Sequence, residues 1–150
     1  MTHITFAPED PDFAERVRAS FNRQALMRLI GATLGRVEAG AVDISLEYRE
    51  DLTQQHGYLH AAVTTAIVDS ACGYAALSLT PAGSEVLSVE FKVNLLRPAV
   101  GERFVAQGRV LKPGRTLIVV RGDVLALADG QSKLISTMLA TIIPRPRAAE

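Results

Sequence analysis

The chain has 150 residues, of which 48% are hydrophobic, and its 16 basic residues balance its 16 acidic residues. A chain of this length can bury roughly 68–70% of the surface that its unfolded form exposes, so we expect a single domain, 1–150, with a true hydrophobic core. The balanced charge, which includes no basic block longer than a pair, argues against nucleic acid or an anionic membrane as the main partner.

The first residues and the cysteine content indicate which cellular compartment to expect. The first residues, MTHITFAPEDPDF, contain neither a basic leader nor an apolar core of signal-peptide length, so we expect a cytoplasmic protein. Cys72 is the only cysteine, which excludes an internal disulfide and a zinc cluster built on several cysteines. We expect it to be a small buried apolar side chain.

An amphipathic helix is predicted over residues 12–30 and is expected to pack on the edge of the fold. Its apolar side chains recur at helical spacing, at Phe13, Val17, Phe21, Ala25 and Leu29. Gly31 is a stop signal for this helix. Residues 32–40 and 41–50 then predict two strands joined at Ala39-Gly40.

The segment from His56 to Leu79 is an apolar, helix-length run that contains one carboxylate, Asp69. It is long enough to cross a membrane, but an Asp at mid-membrane costs about 2.5–3.5 kcal/mol, so a central helix wrapped by other elements fits better. An ionised carboxyl that is buried without partners is strongly unfavourable. We therefore treat Asp69 as a functional candidate, with a structural hydrogen-bonding role as the alternative.

Four further strands are predicted after a turn at residues 80–83. The first, residues 86–96, alternates strictly, and we expect its apolar face to be buried and Ser88, Glu90, Lys92 and Asn94 to lie on the other face. The apolar face consists of Leu87, Val89, Phe91, Val93 and Leu95. Turns at 98–101, Pro113-Gly114 and Asp129-Gly130 separate antiparallel hairpins, and the tail from Pro144 is expected to fray.

This order of elements predicts an α+β fold in which one twisted antiparallel sheet of about six strands wraps a long central helix, with the core within residues 33–143 and the amino-terminal helix outside it. The second face and the edges of such a sheet must be covered or charged, so we expect two or more subunits to pair. Lys92, Glu90 and Arg109 indicate a partly polar outer face.

A polar cluster leads into the central helix and consists of Gln54, His56, Gly57 and His60. If the helix begins near His60, the N–H groups of Ala61 and Ala62 lack partners within it and can stabilise negative charge on a carbonyl oxygen. Asp69 is more than two turns further on, so it can act on the same carbonyl only across a subunit boundary. The two histidines have no third ligand at metal-site spacing, and no metal site is predicted.

Several of these residues occur together in a known family. They are Gln54, the triplet His60-Ala61-Ala62, Asp69 followed by Ala71, Gly73 and Ala75, and the run Ser88-Val89-Glu90-Phe91. In this combination the chain resembles the hotdog-fold acyl-CoA thioesterases over roughly residues 40–143. The similarity is to the PaaI-like branch, with the phenylacetate-degradation proteins and one type of 4-hydroxybenzoyl-CoA thioesterase, where the triplet usually reads His-Gly-Gly.

The resemblance implies hydrolysis of an acyl-CoA thioester, without metal or cofactor, at the interface of a homodimer that assembles into a tetramer. Asp69 would be the nucleophile or the general base for water. The N–H of Ala61 would polarise the thioester carbonyl, Gln54 would orient the substrate or the leaving group, and Ser88 would hold the water. His60 would order the start of the helix.

Substrate contacts are expected from further residues on the same resemblance. Gly57, His60 and Ala62 would border the substrate, and Tyr74 would either line an acyl pocket or pack in the core. The phosphates of CoA call for cations at the mouth of the site, although each candidate could instead be a solubilising charge. These candidates are Lys92, Arg97, Lys112 and Arg115.

Two other functions compete with hydrolysis. A non-catalytic acyl-CoA-binding or regulatory module of the same fold would bind its ligand without releasing a thiol. An acyl-CoA dehydratase would need a catalytic His beside an Asp, and His60 is too far along the chain from Asp69 to favour it.

Overall fold

The computed structural model describes residues 5–146, which contain three α-helices, one short 3₁₀ helix and six strands. In chain order these are α1 (Phe13–Arg23), α2 (Ala25–Ile30), β1 (Thr33–Glu38), β2 (Ala41–Glu47), the 3₁₀ helix (Glu50–Leu52), α3 (Ala61–Leu77), β3 (Ser84–Leu95), β4 (Arg103–Lys112), β5 (Ile118–Ala128) and β6 (Gln131–Pro146). The strands form one antiparallel sheet in the order β1-β2-β4-β5-β6-β3.

The predicted architecture is confirmed, because this sheet packs around α3 and leaves α1 and α2 at its side. At the carboxyl end, β6 continues to Pro146, so the predicted fraying from Pro144 is wrong for its first three residues. Residues 1–4 and the rest of the tail, 147–150, lie outside the described residues. No helix in the described part of the chain is both long and apolar enough to cross a membrane.

The predicted helix over residues 12–30 is interrupted at Gln24, which has an extended backbone with φ −72° and ψ 106°. The break changes the helical phase, so α1 buries Phe21 as predicted while α2 buries Met27 and Ile30 instead of Leu29. Leu29 is 73% exposed. One continuous apolar stripe was therefore the wrong expectation for this segment.

Arg16 fastens α1 to the end of the central helix. Its guanidinium forms an ion pair with Asp10 at 2.9 Å and donates hydrogen bonds to the carbonyl oxygens of Leu77 at 3.2 Å and Thr80 at 2.8 Å. The last carbonyls of a helix lack intrahelical donors and carry partial negative charge, so a cation is favourable there. This contact holds α1 beside α3.

Two glycines let α3 lie directly on the sheet. Gly108 on β4 is the register partner of Gly122 on β5. A Cβ atom on Gly108 would lie 2.3 Å from the carbonyl oxygen of Ala71, and one on Gly122 would lie 2.4 Å from a methyl carbon of Val68 and 2.7 Å from the sulfur of Cys72. Glycines inside strands mark such close backbone approach.

Strand β3 contains a β-bulge at Val89, because Ser88 is the register partner of Ile142 and Glu90 that of Thr141. Side chains of directly opposed residues share a face. Ser88 therefore shares the helix-facing side of buried Ile142, whereas Leu87 lies on the outer face. The predicted strict alternation is wrong before the bulge, since the extra residue reverses the inward and outward positions.

Beyond the bulge, Phe91, Val93 and Leu95 share the helix-facing side, but the apolar face is largely uncovered in one chain. Phe91 is 42% exposed and Leu95 is 57% exposed, while Val93 is half-buried. Strand β3 is an edge of the sheet, so α3 covers little of it. The expectation of a buried face is wrong for the single chain.

The close approach at Gly108 gives a stability prediction. Gly108→Ala places a methyl group against the backbone of α3, so we expect it to lower the free energy of unfolding by about 1–3 kcal/mol. Gly73→Ala is the matched control, because a Cβ there meets no atom within 4 Å and alanine favours a helix by up to about 1 kcal/mol. Urea unfolding at one fixed protein concentration measures both changes. Equal effects of the two variants would show that the close approach contributes nothing.

Cys72 is fully buried, as predicted, and gives a second expectation. Burial raises the pKa of its thiol, and the negative charges of Asp69 and Asp123 raise that pKa further. The reactive thiolate is therefore scarce at neutral and mildly alkaline pH. We expect no reaction with a disulfide reagent such as DTNB at pH 8 in the native state and one equivalent of reaction in urea. Rapid labelling of the native protein would contradict this burial.

Candidate active site

Asp69 lies near the middle of α3, on a stripe of the helix that the strands of its own chain leave partly uncovered. The side chain is half-buried rather than buried, which corrects the expectation from the apolar run. Ala62, Ala66 and Gly73 lie on the same stripe and are also partly or fully exposed. The carboxylate is therefore accessible to a ligand from this side.

Ser88 contacts this carboxylate directly. Its Oγ atom donates a hydrogen bond to Oδ1 of Asp69 at 2.7 Å. The contact depends on the bulge at Val89, which turns Ser88 towards α3 although the sequence pattern alone placed it on the opposite face. Asp69 and Ser88 together border a cavity of about 540 Å³.

Helix α1 and Gln24, the residue that follows it, form one wall of this cavity, a feature that the sequence did not indicate. Gln24 donates a hydrogen bond from Nε2 to the Tyr74 hydroxyl at 3.0 Å and accepts one from Ser70 Oγ at 3.2 Å. Ser20 Oγ lies 3.4 Å from the same hydroxyl. Tyr74 itself is buried and packs edge-on against Phe21. Tyr74 thus packs in the core and also borders the cavity.

The amino terminus of α3 is the second candidate centre, in addition to the one at Asp69 and Ser88. The helix begins at Ala61, and His60 caps it because Nδ1 accepts a hydrogen bond from the N–H of Ala62 at 2.9 Å. The N–H groups of Val63 and Thr64 are directed to the carbonyl oxygen of His60. The N–H of Ala61 has no acceptor among residues 5–146, so it is the donor that remains for a ligand.

The alanines that replace the family's glycines are not strained. Within the described part of the chain, Asp129 is the only non-glycine residue with a positive φ, so Ala61 and Ala62 have ordinary backbone geometry. A donor in the first turn of a helix needs no left-handed conformation.

Gln54 is held next to this helix start by its loop. Its N–H donates to the carbonyl oxygen of Tyr58 at 2.9 Å, and its side-chain oxygen accepts from the N–H of His56, which leaves Nε2 as the outward donor. Gly57 closes the loop with φ 80°. Gln54 and Ala61 border a second cavity of about 370 Å³.

Of the predicted cations, Arg97 borders this second cavity. Lys92 lies on the outer face of β3 opposite the exposed Leu139, and Lys112 is exposed at the end of β4. Arg115 borders a different cavity, near the end of β6. The structure therefore brings Arg97, but not the other three, to Gln54 and Ala61.

The two centres do not meet within one chain. Ala61 and Asp69 are eight residues apart on one continuous helix, and a rise of 1.5 Å per residue separates them by about 12 Å. A carbonyl group must lie about 3 Å from both its oxyanion donor and the attacking group. One chain thus supplies both halves of such a site but does not assemble them.

Metal ligands are not clustered in the described part of the chain, where no three His, Cys, Asp or Glu side chains are placed to hold an ion. Of the two histidines near the start of α3, His60 accepts a hydrogen bond at Nδ1 from the backbone N–H of Ala62, and His56 is exposed.

Comparison with known proteins identifies the family. Residues 56–133 match the thioesterase superfamily. The crystal structure of a thioesterase family protein from Silicibacter pomeroyi aligns with a TM-score of 0.88 and 47% identity, covering 89% of this chain and 98% of that one. Human acyl-coenzyme A thioesterase 13 is 30% identical over 119 residues, which are 78% of this chain and 84% of the human protein.

The PaaI protein of E. coli, from the phenylacetic acid degradation operon, shares the fold. It aligns with a TM-score of 0.78 at 16% identity and covers 92% of this chain and 94% of its own. The fold and the family expected from the sequence are therefore confirmed, and the chain belongs to the thioesterase superfamily as a hotdog-fold thioester hydrolase.

Proposed function

We propose that the protein hydrolyses acyl-CoA thioesters to the free acid and CoA, in a site that two subunits share. Asp69 of one subunit acts on a thioester whose carbonyl oxygen is bound by the Ala61 N–H of the other. The observation that carries this proposal is the separation of Asp69 and Ala61 along one helix, which is too large for both to act on one carbonyl group. The hydrogen bond between Ser88 and the accessible carboxylate of Asp69 supports it. The name of the human relative supports acyl-CoA as the substrate class.

The hydrogen bond from Ser88 leaves the second oxygen of Asp69 for chemistry. As a general base, that oxygen takes a proton from water while the hydroxide attacks the thioester carbonyl, and the proton then leaves with the CoA sulfur. As a nucleophile, it displaces the CoA thiolate to form an anhydride, which water hydrolyses. A lone pair of Ser88 Oγ can position the water in either case.

The helix start stabilises the charge that develops on the carbonyl oxygen. The free N–H of Ala61 points along the positive end of the α3 dipole, where an oxyanion is favourable. Gln54 can donate from Nε2 to the substrate next to it, and Arg97 supplies a positive charge for the phosphates of CoA. His60, with Gly57 and Ala62, fixes the backbone geometry at this end of the site.

Strand β3 is the surface through which we propose the homodimer to form. It is an edge strand with large exposed apolar side chains on it and just after it, at Leu87, Val89, Phe91, Leu95 and Leu96. Such an edge is a template for a second strand, and a two-fold axis would join two copies of it. Exposed Leu111 and Leu139 on the outer face would then join dimers into a tetramer. Because CoA thioesters are intracellular compounds, we place the protein in the cytoplasm.

The Asp69→Asn variant tests the role of the carboxylate. It keeps the size of the side chain but removes the base or nucleophile, so we expect kcat to fall at least about 100-fold with little change in KM. Release of CoA from phenylacetyl-, benzoyl- and hexanoyl-CoA is followed with DTNB, since the buried Cys72 should not react in the native protein.

Asp129→Asn is the matched control, because Asp129 lies in an exposed turn with φ 50° that asparagine tolerates. It should retain wild-type turnover. Turnover of Asp69→Asn at the wild-type rate would remove Asp69 from the mechanism. A CoA ester that raises the Tm of the wild type without any thiol release would instead favour the non-catalytic alternative.

Mixed dimers test the shared site. Ala61→Pro deletes the proposed oxyanion donor at the first helical position, where proline is tolerated, and the extended backbone of His60 with ψ 138° suits a following proline. We expect this variant to lose about 10²–10³ in kcat. Refolding it with an equal amount of Asp69→Asn restores one intact site in each heterodimer, or about a quarter of wild-type activity after random pairing.

The same two variants mixed without unfolding provide the control, because their subunits have not been exchanged. Absence of any recovery after co-refolding, with heterodimers demonstrated by a tag on one variant, would mean that both groups act within one chain.

A further inference from the structure

We propose that Gln24 is a specificity-determining residue, and that with Ser70 and Tyr74 it forms a polar wall that selects acyl groups carrying a hydroxyl at their far end. This inference rests on the proposed function, because it takes the cavity next to Asp69 as the acyl subsite. It concerns the amino-terminal helices, for which the thioester chemistry itself requires no role.

The position of Gln24 is fixed from both sides. It occupies the break between α1 and α2, and its backbone N–H donates to the carbonyl oxygen of Phe21 at 3.0 Å. Its side-chain amide spans two residues of α3, donating to the Tyr74 hydroxyl at 3.0 Å and accepting from Ser70 Oγ at 3.2 Å. Both partners are hydroxyls, which can donate or accept, so together they hold the Gln24 amide in place in the cavity wall in either orientation of its oxygen and nitrogen.

The amide of Gln24 retains unused hydrogen-bonding capacity. A glutamine side chain has two N–H donors and an oxygen with two lone pairs, and the contacts to Tyr74 and Ser70 use one of each. Gln24 borders the same cavity as Asp69. When a purely hydrocarbon acyl chain expels water from the cavity, the remaining N–H and lone pair of the Gln24 amide are left without partners. An acyl chain with a hydroxyl can satisfy them, because a hydroxyl both donates and accepts.

Gly73 provides the room for such an acyl group. It lies one turn after Asp69, directly before Tyr74, and borders the cavity. A Cβ atom at this position would meet nothing within 4 Å. The missing side chain therefore leaves space between the carboxylate and the polar wall. A residue with a branched side chain would occupy it.

The charge on this side favours a neutral polar group. Arg16 and Arg23 border the cavity, but the Arg16 guanidinium is committed to Asp10 and to carbonyl oxygens at the end of α3, and Arg23 donates to the carbonyl oxygen of Ala19 at 3.3 Å. Asp69 and Glu85 border the same cavity, and their negative charges disfavour a carboxylate on the acyl group. The polar atoms that Gln24, Ser70 and Tyr74 contribute are an amide and two hydroxyls, none of which is charged. We therefore assign a hydroxyacyl rather than a dicarboxylic acyl group to this wall.

The test compares CoA esters that differ in one hydroxyl, hexanoyl- with 6-hydroxyhexanoyl-CoA and butanoyl- with 4-hydroxybutanoyl-CoA. We expect the wild type to have the higher kcat/KM for a hydroxyacyl ester. Gln24→Leu should lower that preference about five- to tenfold, mainly through the hydroxyacyl ester, because one net hydrogen bond is lost. Asn22→Leu, an exposed change on α1 outside the cavity, should leave the preference unchanged.

Two further variants keep the test decisive if Gln24→Leu does not fold. Ser70→Ala removes one partner of the Gln24 amide and should shift the preference in the same direction by a smaller factor. Gly73→Val should lower kcat/KM for both hexanoyl esters at least fivefold more than for acetyl-CoA, because it fills the space beyond the carboxylate.

An unchanged ratio between hydroxyacyl and acyl esters in Gln24→Leu and Ser70→Ala, with hydrolysis retained, would overturn this inference and leave the proposed function intact. A stronger preference for 5-carboxypentanoyl-CoA than for 6-hydroxyhexanoyl-CoA would overturn the assignment of a neutral group. A wild type that hydrolyses none of the esters would overturn the proposed function and this inference together.

Discussion

The direct seating of α3 on the sheet is the constraint on which the rest of the structure depends. Gly108 and Gly122 leave no side chain between the strands and the helix backbone, so the helix face with Val68, Ala71 and Cys72 is pressed into the sheet. The facing strand positions then determine which side of α3 remains open. Asp69 lies on that open side, within hydrogen-bonding distance of β3. A thicker layer of side chains would lift the carboxylate away from Ser88.

Much of the fold could be predicted because its signals are local. The hairpin turns, the apolar run of α3 and the helix start at His60 each depend on residues close together in sequence. The bulge at Val89 could not be predicted in this way, because the apolar and polar alternation continues through it and the register is set by β6, about 50 residues away. The residue pattern placed Ser88 away from the helix, and the family resemblance placed it in the site; the bulge accounts for both.

The parts of the candidate site that the sequence did not reveal depend on long-range contacts. Gln24 sits in a helical pattern without a proline or glycine to announce the break, and its partners Ser70 and Tyr74 lie 46 and 50 residues away. The exposure of Asp69 was missed for a related reason. A helix that is apolar on every side suggests complete burial, but composition does not say whether its own chain or a second one provides the cover. The site residues from the resemblance remain predictions until the variants are measured.

The length of α3 has a mechanical consequence in the proposed dimer. Each α3 helix has 17 residues and contributes its amino terminus to one site and the carboxylate of Asp69 to the other. If the helix shifts along its axis, Ala61 moves closer to a substrate in the first site. Asp69 then moves by the same distance relative to the substrate in the second site. The two sites of the dimer are therefore coupled through both helices, so a ligand that displaces one helix changes the geometry of both sites.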